Sequence, residues 1–211
     1  MTSPSKRQLF LLGEGDTWFQ RNRKTGAKDV AQWTENDQLV NVFANLPRPR
    51  GPEVSVLEVG CGHGLRLKSI QPNFGWSVAG VDPSALAVRS VTSAGLLGTV
   101  STADALPAAD SMIDLLIFGF CLCLCDRADL FKIAAEADRV MKLKSWLSIL
   151  DFWSPHEKVN AYHHLDRVVN YESNLPGMFA WYPSYVATKH HVRHQNATTR
   201  IMLMSGWPQR S

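Results

Sequence analysis

The hydrophobic positions change period along the chain, and the changes mark out elements. Residues 54–59, Val54-Ser-Val-Leu-Glu-Val59, form a short β-branched run that ends at Gly60-Cys-Gly-His-Gly64. Residues 65–70 then read as a helix, and residues 77–81 as a second strand followed by Asp82-Pro-Ser. Pro83 and Ser84 open a further helix running to about Thr92. A short extended piece is expected at 99–102 and a long apolar strand at 114–120. Residues 127–141 carry Leu130, Ile133, Ala134, Ala137 and Val140 at helical spacing, and 146–152 reads as another strand. Strands that alternate with helices, and are themselves largely apolar, predict a parallel sheet covered on both faces.

The flanks are less regular. Residues 1–52 are polar and mixed, with helical spacing of Val30, Trp33, Leu39, Val42, Phe43 and Leu46 across 28–46. The proline-rich piece 46–52 cannot continue that helix and reads as a connector. Residues 153–211 are rich in aromatics and histidine. A helix is expected over 159–171, and the last two strands over 185–193 and 199–205, joined by a polar turn at 195–197. Trp153, Phe179, Trp181, Tyr182 and Tyr185 form either a pocket for a second molecule or the core under the last helix.

A chain of 211 residues suits one domain with a substantial core. Hydrophobic residues at 45% and charged residues at 19% are ordinary for a globular protein. The net charge of +3 and the lack of a dense basic run do not single out nucleic acid as a partner. The apolar run 115–125 is too short to span a membrane, and no apolar segment follows residues 1–7 as in a signal peptide. Cys121, Cys123 and Cys125 alternate within that run and would share a strand face, and with Cys61 they read as reduced thiols of a cytoplasmic protein. Zinc sites favour longer ligand spacings, and Lys189 and Arg193 disfavour a cation at His190, His191 and His194, so no metal is expected.

The glycine loop carries the chemistry. A strand that runs into Gly60-x-Gly62-x-Gly64 turns tightly and lets a ligand approach the main chain. The spacing is not the Gly-x-Gly-x-x-Gly of dinucleotide sites. Glu58, two residues before the first glycine, would repel a pyrophosphate but suits a cationic ligand. Asp82, about 20 residues on at the end of the next strand, is placed to accept from ribose hydroxyls.

Residues 56–64 resemble the first motif of class I S-adenosylmethionine-dependent methyltransferases, and Gly80-Val-Asp82-Pro-Ser resembles their second. Thr102-Ala-Asp104-Ala-Leu-Pro107 is similar to the adenine segment, and Asp114-Leu-Leu-Ile-Phe118 to the fourth strand. The resemblance covers about residues 50–152 and implies a Rossmann-like, mostly parallel seven-stranded sheet with helices on both faces. It implies one methyltransferase domain, with residues 1–52 as a helical cap or lid, 53–152 as the cofactor core, and 153–211 as the acceptor-side insertion and final strands. Gly60, Cys61, Gly62 and His63 would then pass the methionine part of the cofactor, Glu58 would hold its ammonium end, and Asp82, Pro83 and Ser84 would meet the ribose. Asp104, Ala105 and Leu106 would face the adenine, and Phe118 and Gly119 would line the pocket. One departure stands out: where such proteins carry Lys-Pro-Gly-Gly, this chain reads Met141-Lys-Leu-Lys-Ser-Trp146.

Gly13-Glu-Gly-Asp-Thr-Trp-Phe-Gln-Arg-Asn22, with Phe118-Gly-Phe-Cys-Leu122 and Asp151-Phe-Trp-Ser-Pro155, also resembles small bacterial methyltransferases associated with pseudaminic acid and related surface sugars. That resemblance implies that Trp18, Arg21 and Asn22 fold over the cofactor. The reading is methyl transfer from S-adenosylmethionine to a small-molecule hydroxyl, amine or carboxylate. The fourth strand ends in Phe-Gly-Phe-Cys, without the Pro-Pro-aromatic motif of many base-methylating enzymes. A catalytically silent cofactor-binding protein and a nicotinamide oxidoreductase are the rivals. Asp151, His156, Tyr162, His163 and His164 fall at or beyond the end of the fifth strand, and His163 or His164 is the expected base.

Overall fold

The computed structural model describes residues 4–22, 29–48, 50–166, 168–195 and 197–206, and for 189–195 and 197–206 their backbone alone. The side chains of His190, His191 and His194, together with Lys28 and Asn196, lie outside the described residues. In chain order, α1 (Lys6–Leu9) leads through a π-helical turn (Phe10–Glu14) into α2 (Gly15–Arg21). Next come α3 (Val30–Asn36), α4 (Gln38–Phe43), β1 (Ser55–Val59), α5 (Leu65–Phe74), β2 (Ser77–Asp82), α6 (Ala85–Ser93) and β3 (Leu97–Val100). Then follow β4 (Ile113–Gly119), α7 (Leu130–Val140), β5 (Met141–Phe152), β6 (Lys158–Ala161) and β7 (Val169–Glu172). The chain closes with α8 (Gly177–Ala180), β8 (Tyr185–Gln195) and β9 (Ala197–Gly206).

The main sheet has seven strands in the order β3-β2-β1-β4-β5-β9-β8. β1 to β5 pair parallel, while β9 runs antiparallel to both β5 and β8. The sheet reverses direction of growth between β1 and β4, which opens a crevice beyond the carboxyl ends of those strands. Alternation along β4 shows how the sheet is sandwiched. Leu116 and Phe118 join Ile133, Ala137 and Val140 of α7 in one core cluster. Leu115 and Ile117 join Leu39, Val40 and Phe43 of α4 and Leu67 and Ile70 of α5 in the other. Both faces of the strand are buried, which explains its unbroken apolar run.

Four local expectations are corrected. The single helix over 28–46 is two, because the Asp37 side chain accepts the Val40 amide and caps α4, breaking the helix before it. The cysteine run is not a strand: β4 stops at Gly119, Phe120 takes φ 55°, and Leu122–Leu124 form a 3₁₀ turn. The carboxylate of Asp151 accepts the Cys123 amide at 3.1 Å and draws the chain across the end of the sheet. The helix expected over 159–171 is instead the two-stranded β6–β7 ladder, in which Val159 pairs with Tyr171 and Asn160 with Asn170. β3 begins and ends two residues earlier than expected.

The missing Pro-Gly-Gly is absorbed by an irregularity in β5. Ile113 pairs with Met141 but Leu115 with Trp146, and Lys144 takes φ 58° between them. The Arg48 guanidinium donates to the Lys144 carbonyl and holds the bulge. Among the described residues no helix is long and apolar enough to cross a membrane.

Candidate active site

The glycine loop turns because its residues can hold positive φ. Gly60 sits at φ 75° and Gly62 at φ 51°. A Cβ on Gly60 would lie 2.8 Å from Cβ of Cys121, so both backbone conformation and space require glycine there. The Gly60 and Cys61 amides donate to the Val81 carbonyl at 2.8 and 3.1 Å, which ties the loop to β2. Asp82 then receives two backbone donors: Gly62 N–H on Oδ2 and Ser84 N–H on Oδ1, each at 2.9 Å. Burial raises the Asp82 carboxyl and these two donors oppose the rise. Ser84 is not a wall of the site. Its hydroxyl caps α6 by accepting the Ala87 amide at 3.1 Å.

Glu58 belongs to a buried ion cluster. Arg66, in the first turn of α5, donates to Glu58 Oε1 and, at 2.8 Å, to Asp37 Oδ2. All three residues are buried, and burial pushes the Glu58 carboxyl up to about 7 against the pull of Arg66. Its other oxygen, Oε2, is buried without a partner among the described residues.

The N-terminal segment crosses the crevice and is pinned at both ends. Arg7 and Lys132 donate to Asp104 Oδ2 at 2.6 and 2.8 Å, and Thr102 donates to Oδ1 at 2.6 Å. Burial raises the Asp104 carboxyl, but these partners outweigh it and hold the group at about 2. Asp16 accepts from the Ser84 hydroxyl at 2.6 Å and the Leu86 amide at 3.0 Å, which fastens α2 to the start of α6. The Trp18 ring lies over the loop, 3.9 Å from where a Cβ on Gly62 would stand. His63 donates from Nε2 to the Asn22 carbonyl at 3.1 Å and packs on Phe19, with ring centroids 4.1 Å apart. Desolvation lowers the His63 pKa, so at neutral pH its ring meets Asn22 and Phe19 as the neutral form.

These elements enclose a cavity of about 600 Å³, mid-range for a small-molecule site. Of the candidate residues, Trp18, Glu58, Gly60, Cys61, Gly62, His63, Asp82, Pro83, Asp104 and Gly119 line it. The structure does not bring the other candidates to it. Phe118 is core, packed on Phe179 at 6.5 Å, because its strand position faces α7. Ala105 is exposed, Leu106 is buried in the α7-side core, and neither lines the cavity. Arg21 is engaged by Glu14 at 2.5 Å and the Tyr162 hydroxyl at 2.8 Å. His163 and His164 are exposed on the turn after β6, outside the cavity, and His164 meets the Tyr162 ring edge-on. His156 is also exposed. Asp151 is buried beneath the floor, where burial pushes its carboxyl up to about 6. Of the aromatic region, Phe179 and Tyr185 are core, while Trp181 and Tyr182 face solvent.

The cavity also takes residues that sequence reasoning passed over. Lys6 and Arg7 of α1, Arg66 of α5 and Asn170 of β7 line it, and so do Cys121, Cys123 and Cys125. Burial pushes the thiols of these cysteines up, so they stand as neutral apolar wall groups. Among the described residues no group of three or more His, Cys, Asp or Glu could hold a metal ion.

Residues 57–149 match the model of a methyltransferase domain family. No curated protein matches the chain. Solved structures match the fold. The Haloferax volcanii protein solved in complex with the Trm112 methyltransferase activator is 15% identical, with a TM-score of 0.69 over 93% of this chain and 97% of that one. A Pyrococcus horikoshii protein is 17% identical, with a TM-score of 0.66 over 85% and 92%. Geranyl diphosphate C-methyltransferase from Streptomyces coelicolor, solved with S-adenosyl-L-homocysteine, is 14% identical, with a TM-score of 0.64 over 80% and 75%. Residues 57–149 are thus a methyltransferase domain, built on the Rossmann-like class I methyltransferase fold.

Proposed function

We propose that this chain transfers the methyl group of S-adenosylmethionine to a small molecule held in the cavity beneath its N-terminal segment. The observation that carries the reading is the Gly60–Gly64 loop locked to Asp82, with the unpartnered Glu58 Oε2 beside it. Asp82 spends one lone pair of each oxygen on the loop and keeps the others for ribose hydroxyls. Glu58 offers a buried acceptor to the ammonium end, in a wall too acidic for a pyrophosphate. The cofactor supplies an electrophilic methyl on a sulfonium. The protein supplies position and a dry site.

The lid supports a small acceptor. Lys6, Arg7, Phe10, Trp18 and Asn22 of the N-terminal segment line the cavity, whose volume of about 600 Å³ suits a small molecule. The N-terminal likeness to surface-sugar methyltransferases agrees in part: Trp18 and Asn22 line the cavity, while Arg21 turns to Glu14. A sugar-like acceptor is the finer reading that this likeness favours. The rival, cofactor binding without turnover, differs only in the transfer step.

Calorimetric titration with S-adenosylhomocysteine tests the reading. Wild type is expected to bind in the micromolar range, a free energy of about −8 kcal/mol. Trp18→Ala removes the ring over Gly62 and is expected to weaken binding about tenfold, near 1.4 kcal/mol. A wild-type protein that does not bind would overturn the proposal.

A further inference from the structure

We infer that Phe120 determines acceptor specificity: with Phe152 it forms an aromatic corner of the cavity that takes the acceptor by a flat, uncharged ring face. The inference rests on the methyltransferase reading above and names the substrate class of that same site. The class is a ring compound, and the face is either an aromatic ring or the apolar C–H side of a sugar ring.

The backbone supplies the first observation. Phe120 takes φ 55°, a left-handed conformation in which a Cβ crowds its own main chain. Glycine or asparagine holds it at less cost. The conformation is fixed from outside, because the Phe120 amide donates to the Leu150 carbonyl at 2.7 Å. A bulky residue would offset that cost if its ring filled the core. It does not: Phe120 is 38% exposed and lines the cavity. A strained conformation kept by a large side chain outside the core points to a use for the ring itself.

Placement is the second. Both chain neighbours of Phe120 abut the glycine loop and its acid. A Cβ on Gly119 would stand 3.2 Å from Glu58 Oε1, and a Cβ on Gly60 would stand 2.8 Å from Cβ of Cys121. The ring is therefore carried by a turn packed on the loop proposed to hold the methionine part of the cofactor. A molecule resting on Phe120 is a neighbour of that loop.

The third observation is the partner ring and the wall around it. Phe152, at the end of β5, lines the cavity and meets Phe120 with centroids 5.5 Å apart and planes at 52°. One buried carboxylate braces both sides of this corner. Asp151 accepts the Phe152 amide on Oδ1 at 2.8 Å and the Cys123 amide on Oδ2 at 3.1 Å. Two rings at such an angle offer a flat guest a face from one and an edge from the other. Cys121, Cys123, Leu124 and Cys125 continue the wall, and burial pushes their thiols up, so they stay neutral. That wall offers dispersion contacts and no ion pair.

Ligand-observed NMR titration, with and without saturating S-adenosylhomocysteine, tests the inference with three uncharged probes. They are 2-naphthol, methyl β-D-galactopyranoside, and 1-adamantanol, which is apolar but has no flat face. At least one ring probe is expected to bind about fivefold tighter than 1-adamantanol, and the tighter of the two tells an aromatic face from a sugar face. Phe120→Gly, suited to φ 55°, is expected to melt no lower than wild type yet to weaken that ring probe about fivefold, with 1-adamantanol unchanged. Phe120→Leu, apolar but not flat, is expected to weaken it likewise. Binding of neither ring probe, 1-adamantanol binding as tightly as both, or a ring probe indifferent to both substitutions would each overturn the inference. If a ring probe binds through Phe120 while wild type fails to bind S-adenosylhomocysteine, the functional reading falls and the ring site stands.

Discussion

Arg66→Leu is expected to cost about 3–5 kcal/mol of folding stability at pH 8, the largest loss of any single exchange considered for this chain. Arg66 is the shared partner of Glu58 and Asp37, and all three are buried. Leucine, shorter than arginine, fills only part of the space and leaves two carboxylates without a cation in a dry place. The loss should depend on pH in a stated direction. Glu58 in the folded protein titrates at about 7, above its ordinary value near 4.5. Between those values the folded chain holds a proton that the unfolded chain has released, so stability falls as pH rises through that window. Removing Arg66 takes away the one group that pulls Glu58 down, so the variant holds its proton to higher pH and loses more on the way up. Urea unfolding at pH 5 and pH 8 reads this. The gap between variant and wild type should be smaller at pH 5. A loss below about 1 kcal/mol that is the same at both pH values would show that the cluster is not a buried, charged one.

How much of this was readable in the sequence depends on the range of the forces involved. β1, its glycine loop, β2 and β4 were legible because period, glycine spacing and the trailing acid are all local signals. The anchors of the N-terminal segment were not. Arg7 meets Asp104 across 97 positions of sequence, and nothing near Arg7 marks its partner. Arg66 reads as an ordinary charge in a helix, and only the packing of α4 beside α5 makes it a buried ion. The turn after β6 gives the sharpest case. Tyr162 and the two histidines that follow it are adjacent, yet the turn sends Tyr162 into the cavity wall and leaves His163 and His164 in solvent. Residue type pointed to histidine, while backbone direction, which has no period in a turn, put tyrosine on the wall. The cysteine run misled for a related reason: alternation suggests a strand, but the Cys123 amide is taken by Asp151, 28 positions away.

Asp82→Ala is expected to raise the Kd for S-adenosylhomocysteine about a hundredfold, near 3 kcal/mol. Two effects add. The carboxylate is the acceptor proposed for the ribose hydroxyls, and hydrogen bonds to a charged acceptor contribute about 1.5–3 kcal/mol each. It also fixes the loop that must receive the ligand, through the Gly62 and Ser84 amides at 2.9 Å. Alanine orphans both amides, so the folded variant is also expected to lose about 1–3 kcal/mol of stability. Asp82→Asn separates the two effects. Its carbonyl oxygen still accepts one amide, but its NH₂ group would oppose the other donor. It should therefore keep more of the stability than alanine while still losing most of the affinity. Titration at a temperature well below each variant's unfolding midpoint keeps the readings apart. Should Asp82→Ala bind within about threefold of wild type, the ribose would lie elsewhere and Asp82 would be left as a brace for the glycine loop alone.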